Sequence, residues 1–427
     1  VQAYRASILH LLDDPTRTEG AVAFHDDGLL LVEDGHVVAC GDYDALRDLL
    51  GDAPVEDLTG KLITSGFIDT HIHFPQVDII AAHGAQLLDW LEQHTFPAEA
   101  AFADPAHAKE AAAFFVQELL RNGTTTALVF GSVHRGSVEA LFAEAHARDM
   151  RLIAGKSLMD RNAPEGLTDT VESSRADMES LIADWHGKGR LGYAVTPRFA
   201  ISCSDAQLAM AGEVLAAHPG VWMQTHLSEN AREIEETAAL FPQARDYLDV
   251  YDGYGLLGPR SVFAHCIHLQ GEAFQRLADK GGAVAFCPTS NLFLGSGLFP
   301  LETACAHGVR VGIGTDVGAG TSFSILHTLG EAYKVGQLRG QALDPFHALY
   351  LATLGGARAL DLGDRIGNLA PGKEADFLVL DLAATPLLKR RLSGDRSLEN
   401  RLFALTVLAD DRVVERVMLA GVEQYRR

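Results

Sequence analysis

The sequence predicts an α/β protein, a (β/α)8 TIM-like barrel with a small β-sandwich domain built from both chain termini. Three observations carry that reading. From about Lys109 to the mid-300s, helical patterns take turns with short apolar runs. Both ends of the chain are strand-rich instead. Five ligand-type side chains (His71, His73, His226, His265 and Asp316) each close an apolar run, where a barrel gathers its working groups.

The elements follow in order. Tyr4–Leu11 alternates weakly, and Gly20–Phe24, Leu29–Glu33 and His36–Cys40 read as strands separated by polar turns. Tyr43–Leu50 reads as a short helix, and Leu62–Asp69 as a strong apolar strand. Helix-then-strand pairs come next: Glu110–Arg121 with Thr124–Phe130, Ser137–Asp149 with Arg151–Lys156, Ser174–His186 with Leu191–Val195, and Asp205–His218 with Val221–Thr225. Tyr251–Pro259, rich in Gly and Tyr, reads as loop. Ser261–Ala264, Ala283–Phe286 and Val311–Gly314 complete the barrel pattern. After Pro371-Gly372-Lys373, three strands are expected: Ala375–Leu380, Ala404–Ala409 and Val413–Leu419. The expected domains are residues 1–64 with 372–427 for the β domain, and residues 65–371 for a metal-dependent catalytic barrel.

Composition narrows the function classes. A chain of 427 residues at 47% hydrophobic content can bury a large core. The net charge of -22 and the lack of a long Lys/Arg stripe disfavour a nucleic-acid partner. No HxE…PCxxC signature of a nucleic-acid-editing deaminase is present. The five cysteines form no CxxC pair and read as reduced thiols. With no leader-like start and no apolar run of membrane-spanning length, the expectation is a cytoplasmic enzyme with no membrane partner.

The metal reading starts at GFIDTHIH, Gly66 to His73. On a strand, residues i and i+2 share a face, so the rings of His71 and His73 converge. Two convergent imidazoles at a strand end suit a divalent transition metal. One histidine among 18 is ordinarily a surface or hydrogen-bonded group, so the joint pattern carries the argument. Asp316 either ligates the metal or takes a proton from its water. Glu229, three residues past His226, would reach that water if the chain turned helical there; the plainer reading is an acid in a first helical turn. The acids after it, Glu233, Glu235 and Glu236, read as a solvated helix face. Lys156, at the end of an apolar run, is a formal candidate for a carboxylated bridging ligand, and a structural role is preferred.

Taken together, GFIDTHIHFPQ (66–76), NGTTTA (122–127), TPRFAISCS (196–204), THLSEN (225–230), AHCIHL (264–269), CPTSNLFLGSG (287–297) and GTDVGAG (314–320) resemble the metal-dependent amidohydrolases and, within them, the guanine deaminases. TFPAE (95–99) and LATLGGARAL (351–360) add to the likeness, which runs along nearly the whole chain. THIH and GTD are general to the superfamily, whereas HFPQ, TPRF and HLSEN are specific to the guanine branch. The resemblance implies one zinc per subunit, with iron as an alternative, held by His71, His73, His226 and Asp316. It implies catalytic roles for Glu229 as proton shuttle, for Asp316, and for His265, which also contacts substrate or water. It implies purine recognition by Gln76, Arg198 and Phe199, and a homodimer. Ala319 departs from a glycine common among relatives and would stiffen the loop after Asp316.

The implied activity is hydrolysis of guanine to xanthine and ammonia. Arg198 offers a rigid fork of donors to O6 and N7, Gln76 both a donor and an acceptor, and Phe199 a face for the ring. Taken singly, each has a plainer explanation: a loop hydrogen bond, a surface ion pair, ordinary core. Trp90 reads equally as site wall or core. A related amidohydrolase that deaminates or dechlorinates another purine, pterin or triazine is the alternative. A non-catalytic scaffold is disfavoured by Glu229.

Overall fold

A computed structural model describes residues 1–84, 86–394 and 397–427. The chain opens with β1 (Gln2–Leu11), β2 (Val22–Glu33), β3 (His36–Asp42) and β4 (Val55–Ser65). The two runs expected at 20–24 and 29–33 are one strand. His25, Asp26 and Asp27, read as turn residues, continue that strand, and the exposed Asp27 takes two 2.7 Å hydrogen bonds from the Arg5 guanidinium of β1. Tyr43–Leu49 is helical, as its pattern predicts.

The strongest apolar run, Leu62–Asp69, is divided between two sheets. Its first half ends β4; its second half begins β5 (Phe67–His73). Gly66 is the pivot. A Cβ there would lie 2.0 Å from the Thr125 hydroxyl oxygen, so only glycine lets the chain pass so close. Hydrophobicity cannot reveal such a break, because both halves are buried.

From β5 the barrel proceeds through β6 (Thr124–Phe130), β7 (Arg151–Gly155), the two-residue β8 (Ser157–Leu158), β9 (Leu191–Pro197), β10 (Trp222–Leu227), β11 (Ser261–His265), β12 (Ala283–Phe286) and β13 (Arg310–Ile313). Eight parallel strands run β5-β6-β7-β9-β10-β11-β12-β13, with β8 paired to β9. Beyond the strand ends, the Asp316 N–H donates to the His71 carbonyl and the His73 N–H to the Val317 carbonyl, both at 2.9 Å, joining β13's exit to β5. The buried Asp69 carboxylate strengthens that seam by accepting from the Thr315 and His71 N–H groups.

The barrel interior has a floor and a mouth. Ile68, Leu128, Ile153, Ala194, Trp222 and Val262 form one buried cluster with Ala357, Ala359 and Leu360 from the helix Leu354–Ala359 and its end. The Trp222 indole N–H donates to the Leu360 carbonyl at 2.8 Å, so the floor is plugged. Along β10 the period of two then carries Trp222, Gln224 and His226 up the inner wall.

The chain returns with β14 (Phe377–Leu380), β15 (Val414–Leu419) and β16 (Val422–Arg426). They join the first four strands in the order β16-β15-β14-β4-β1-β2-β3. One face supplies a core of its own (Tyr4, Ile8, Leu30, Ile63, Phe377, Val379, Met418), as a small sandwich requires. The other face, through Leu9, Leu62, Leu378, Leu380 and Val417, joins the barrel's outer core. The strand expected at Ala404–Ala409 is instead the end of a helix, Leu398–Leu408. Ser397 caps it, accepting from the Asn400 N–H, and its buried positions pack on the helices Ile325–Leu338 and Pro345–Ala352. Tyr251–Gly253, expected as loop, closes the helix Tyr247–Gly253. No described helix is long and apolar enough to cross a membrane.

Candidate metal centre and purine pocket

The mouth of the barrel gathers all nine residues singled out by sequence. His71 and His73 share the inner face of β5, their ring centroids 4.9 Å apart. His226 stacks against His73 at 5.1 Å and against His265 at 5.5 Å. Phe130, at the end of β6, backs three of these rings at 4.7 to 5.1 Å. His265 departs from strand alternation. Val262 and Ala264 already face inward, and left-handed backbone at His265 (φ 73°) and Cys266 (φ 51°) turns the ring in as well. Asp316 (φ 52°) is held the same way. Such left-handed backbone at non-glycine residues is characteristic of functional sites.

The donor atoms converge. Asp316 Oδ1 lies 3.1 Å from His71 Nε2 and 3.3 Å from His73 Nε2, and the Nε2 atoms of His73 and His226 are 3.1 Å apart. His265 Nε2 lies 3.4 Å from Glu229 Oε2 and 3.8 Å from Asp316 Oδ2. Ligands at about 2.0–2.1 Å from a four- to six-coordinate cation stand roughly 2.9–3.4 Å from one another, and the 3.1 to 3.3 Å separations among His71, His73, His226 and Asp316 match. The ring tautomers fit too. His226 Nδ1 lies 2.6 Å from the Arg198 carbonyl, which only accepts, so Nδ1 carries the proton and Nε2 offers its lone pair to the centre. His265 Nδ1 is similarly held 2.9 Å from Asn291 Oδ1. His71 Nε2 is buried without a hydrogen-bond partner among the described residues. Two imidazole lone pairs and an orphaned nitrogen around one carboxylate oxygen make a cluster fit for a divalent metal.

Protonation supports that fit. Burial, with neighbouring rings adding to it, pushes His71 and His226 below the ordinary histidine value and His73 down to about 4. Burial opposes ionisation of Asp316, but His71 and His73 override it and hold the carboxyl well below its usual range. A metal takes such groups as neutral imidazoles and a carboxylate. Cys287 also lies within reach, but burial raises its thiol well above the ordinary value, away from the thiolate that binds metal.

Glu229 is buried, its carboxyl raised well above the usual value by burial and by the Asp316 charge. It lies in the turn between β10 and the helix Ala231–Leu240, not in a helical i, i+3 relation to His226. Ser228 (φ 51°) makes the turn. Glu233, expected on a solvated face, is buried. It accepts from the Glu229 and Asn230 N–H groups and from the Tyr247 hydroxyl, fixing the loop that carries Glu229. Glu235 and Glu236 are exposed, as expected.

Beside the cluster is a pocket open to solvent, lined by His73, His226, Glu229, His265 and Asp316 from the cluster. Gln76, Arg198, Phe199, Trp90, Leu87, Leu91, Leu294 and Ala319 line the rest. Trp90 is thus both wall and core; its indole N–H donates to the Ala82 carbonyl. Ala319 forms part of the rim, and Gly320 beside it is obligatory, because a Cβ there would lie 1.7 Å from the Thr315 carbonyl oxygen.

Comparison with known proteins places this architecture. The amidohydrolase family matches residues 62–423. The guanine deaminase of Escherichia coli is 50% identical over 431 residues, covering 100% of this chain and 98% of the relative; its solved structure superposes with a TM-score of 0.98. A guanine deaminase structure from Bradyrhizobium japonicum is 38% identical, with a TM-score of 0.97 over 100% of this chain and 99% of that one. The chain belongs to the guanine deaminase family of the amidohydrolases. A third structure, the guanine deaminase of C. acetobutylicum with guanine bound in its active site, is 28% identical, with a TM-score of 0.91 over 99% of this chain and 100% of that one.

Within this guanine deaminase family member, sequence reasoning missed one group in particular. Glu99 is fully buried and accepts from Gln76 Nε2 at 3.0 Å and from Arg198 Nη1 at 2.6 Å. TFPAE carried it as part of a motif, but an acid in an Ala-rich segment has no signal that marks it as buried. Lys156 is buried with its ammonium turned to Asp169 at 2.6 Å and Asp177 at 3.1 Å, a structural ion-pair cluster.

The protonation pattern makes a prediction. An ordinary histidine site loses metal as protons compete near pH 6.5. Here burial holds His71, His73 and His226 below that value, so metal should be retained at pH values where an ordinary histidine site has lost it. Metal content after dialysis at stepped pH checks this; half-loss near 6.5 would contradict it.

Proposed function

We propose that the protein hydrolyses guanine to xanthine and ammonia, using zinc held by His71, His73, His226 and Asp316. The observation that carries this is the juxtaposition of a buried metal-type cluster with a pocket whose lining also presents Gln76, Arg198 and Phe199. A divalent cation in the cluster supplies an acidified water at neutral pH.

The chain's own groups do the rest. Arg198 donates to O6 and N7 of the base, Gln76 offers one donor and one acceptor, and Phe199 and Trp90 supply apolar surface to the ring. This orientation brings C2 to the metal side. As the water oxygen bonds to C2, Glu229 takes one water proton and passes it to N3. The raised affinity of its buried carboxyl for a proton suits that transfer. His265 holds the oxygen that gathers charge. The second water proton moves to the exocyclic amine, the C2–N bond breaks, and ammonia leaves xanthine behind. The family likeness further supports a homodimer, and a division into a β domain (1–64 and 372–427) and a barrel (65–371).

Ammonia release by the zinc-loaded protein tests the proposal, with guanine set beside adenine, cytosine and ammeline. Release from guanine alone is the expected result. No guanine turnover by metal-loaded protein would move the substrate to another heterocycle. Arg198→Ala is expected to lower kcat/KM for guanine by about 10²-fold or more, since a buried polar contact is lost. Metal content should stay unchanged, and unaltered guanine kinetics would remove Arg198 from recognition.

A further inference from the structure

Glu99 has no place in the steps above, yet it is bonded to two residues of the pocket lining, Gln76 and Arg198. It is fully buried, and both carboxylate oxygens are committed to recognition residues: Oε1 to Gln76 Nε2 and Oε2 to Arg198 Nη1. It sits on the short helix Phe96–Ala100, whose first residue puts its ring 5.6 Å from the Arg198 guanidinium carbon. One turn of helix therefore supplies both a counter-charge and a ring to the same cation. Arg198 itself is buried, and no other acidic side chain among the described residues pairs with its guanidinium.

Two consequences follow from donor and acceptor chemistry. First, the orientation of the Gln76 amide is set from both ends. A carboxylate only accepts, so Nε2 must face Glu99; the Gly318 N–H only donates, so Oε1 must face it, at 3.2 Å. One amide hydrogen and one lone pair remain for a ligand. Second, the wall facing the ligand carries no net charge. A buried guanidinium without a counter-ion would attract anions strongly in so poorly solvated a site.

We propose that Glu99 is a positioning residue that locks the Gln76 amide and neutralises Arg198, so that the pocket selects a neutral purine over an anionic one. This rests on the reading of Gln76 and Arg198 as the purine-binding wall. It also bears on turnover, because xanthine is more acidic than guanine, and a wall left cationic would retain the product's anion.

The test uses two non-reacting purines, hypoxanthine, which is neutral and lacks the C2 amine, and urate, which is anionic at neutral pH. Binding of each to metal-loaded wild type, Glu99→Gln and Glu99→Asp is measured by calorimetry, beside guanine kinetics. Glutamine at 99 keeps the shape but turns an amide NH2 toward one of two donors, and leaves Arg198 uncompensated. The expected result is a shift of the urate-to-hypoxanthine affinity ratio toward urate by roughly tenfold or more, with guanine KM rising more than kcat falls. Aspartate keeps the charge and is expected to keep the wild-type ratio while weakening both ligands. Parallel weakening of both purines in Glu99→Gln, with the ratio unchanged, would overturn the proposal. Should Glu99→Gln fail to fold, the double variant E99Q/R198Q decides: recovery of folding supports a buried charge balance, and continued failure refutes it. Wild type that binds hypoxanthine but releases no ammonia from guanine would fail the substrate reading alone, since the ratio is read without turnover.

Discussion

Replacing Glu229 by glutamine is expected to lower kcat by about 10²–10⁴-fold, the range for loss of a positioned proton carrier, while metal content and guanine affinity stay close to wild type. The separation of effects follows from position. Glu229 Oε1 accepts from the Ser296 hydroxyl at 3.3 Å, and Oε2 faces His265. Neither oxygen is among the atoms that cluster within metal-binding reach. The loop backbone is held independently by Glu233 and by the Asn230 cap, so glutamine leaves its course intact. The stability change should be small and favourable, because the substitution removes a carboxyl that burial and the Asp316 charge oppose ionising. Steady-state kinetics, metal analysis and a thermal melt on one preparation check all three statements. Full activity would end the shuttle assignment.

Asp316→Asn is expected to be as severe by a different route. Asp316 is the only acid whose oxygen lies within 3.3 Å of two of the clustered imidazole nitrogens among the described residues. An amide there loses the negative charge that balances a divalent cation, and its NH2 group turned toward His71 and His73 would oppose their lone pairs. Metal affinity should weaken by more than the roughly 10–100-fold seen when an outer partner of a ligand is lost, and kcat/KM should fall by at least about 10³-fold. Titration with metal separates the two roles of this residue. Variant protein that regains full activity at high zinc has lost only a ligand. Variant protein that fills its site and remains inactive has lost a proton acceptor as well.

Much of this was legible in the sequence because the physics is local. The spacing of His71 and His73 sets both rings on one face of any strand, whatever the strand packs against. Apolar runs alternating with helical patterns predict a parallel sheet, and ligand-type side chains closing several of those runs point to a barrel mouth that gathers them. The errors arose where local pattern is ambiguous. Leu62–Asp69 looks like one strand because hydrophobicity does not report which of two sheets a buried residue joins; Gly66 decides that, through contact with Thr125. Ala404-Leu405-Thr406-Val407-Leu408 reads as strand by its β-branched and apolar residues, but the Ser397 cap and two helices to pack on draw it into a helix.

Acids were the hardest residues to read. Glu99, Glu229 and Glu233 look alike in sequence, each in a polar or Ala-rich segment. All three are buried, and their partners distinguish them: one pairs with an arginine, one faces His265 beside the metal-type cluster, and one holds the loop that carries Glu229. The sequence alone determined the barrel, the residues at its strand ends and the family. Tertiary structure decided which carboxylates are desolvated and what each opposes, because the charge a carboxylate carries and the partner it holds depend on neighbours brought from distant segments.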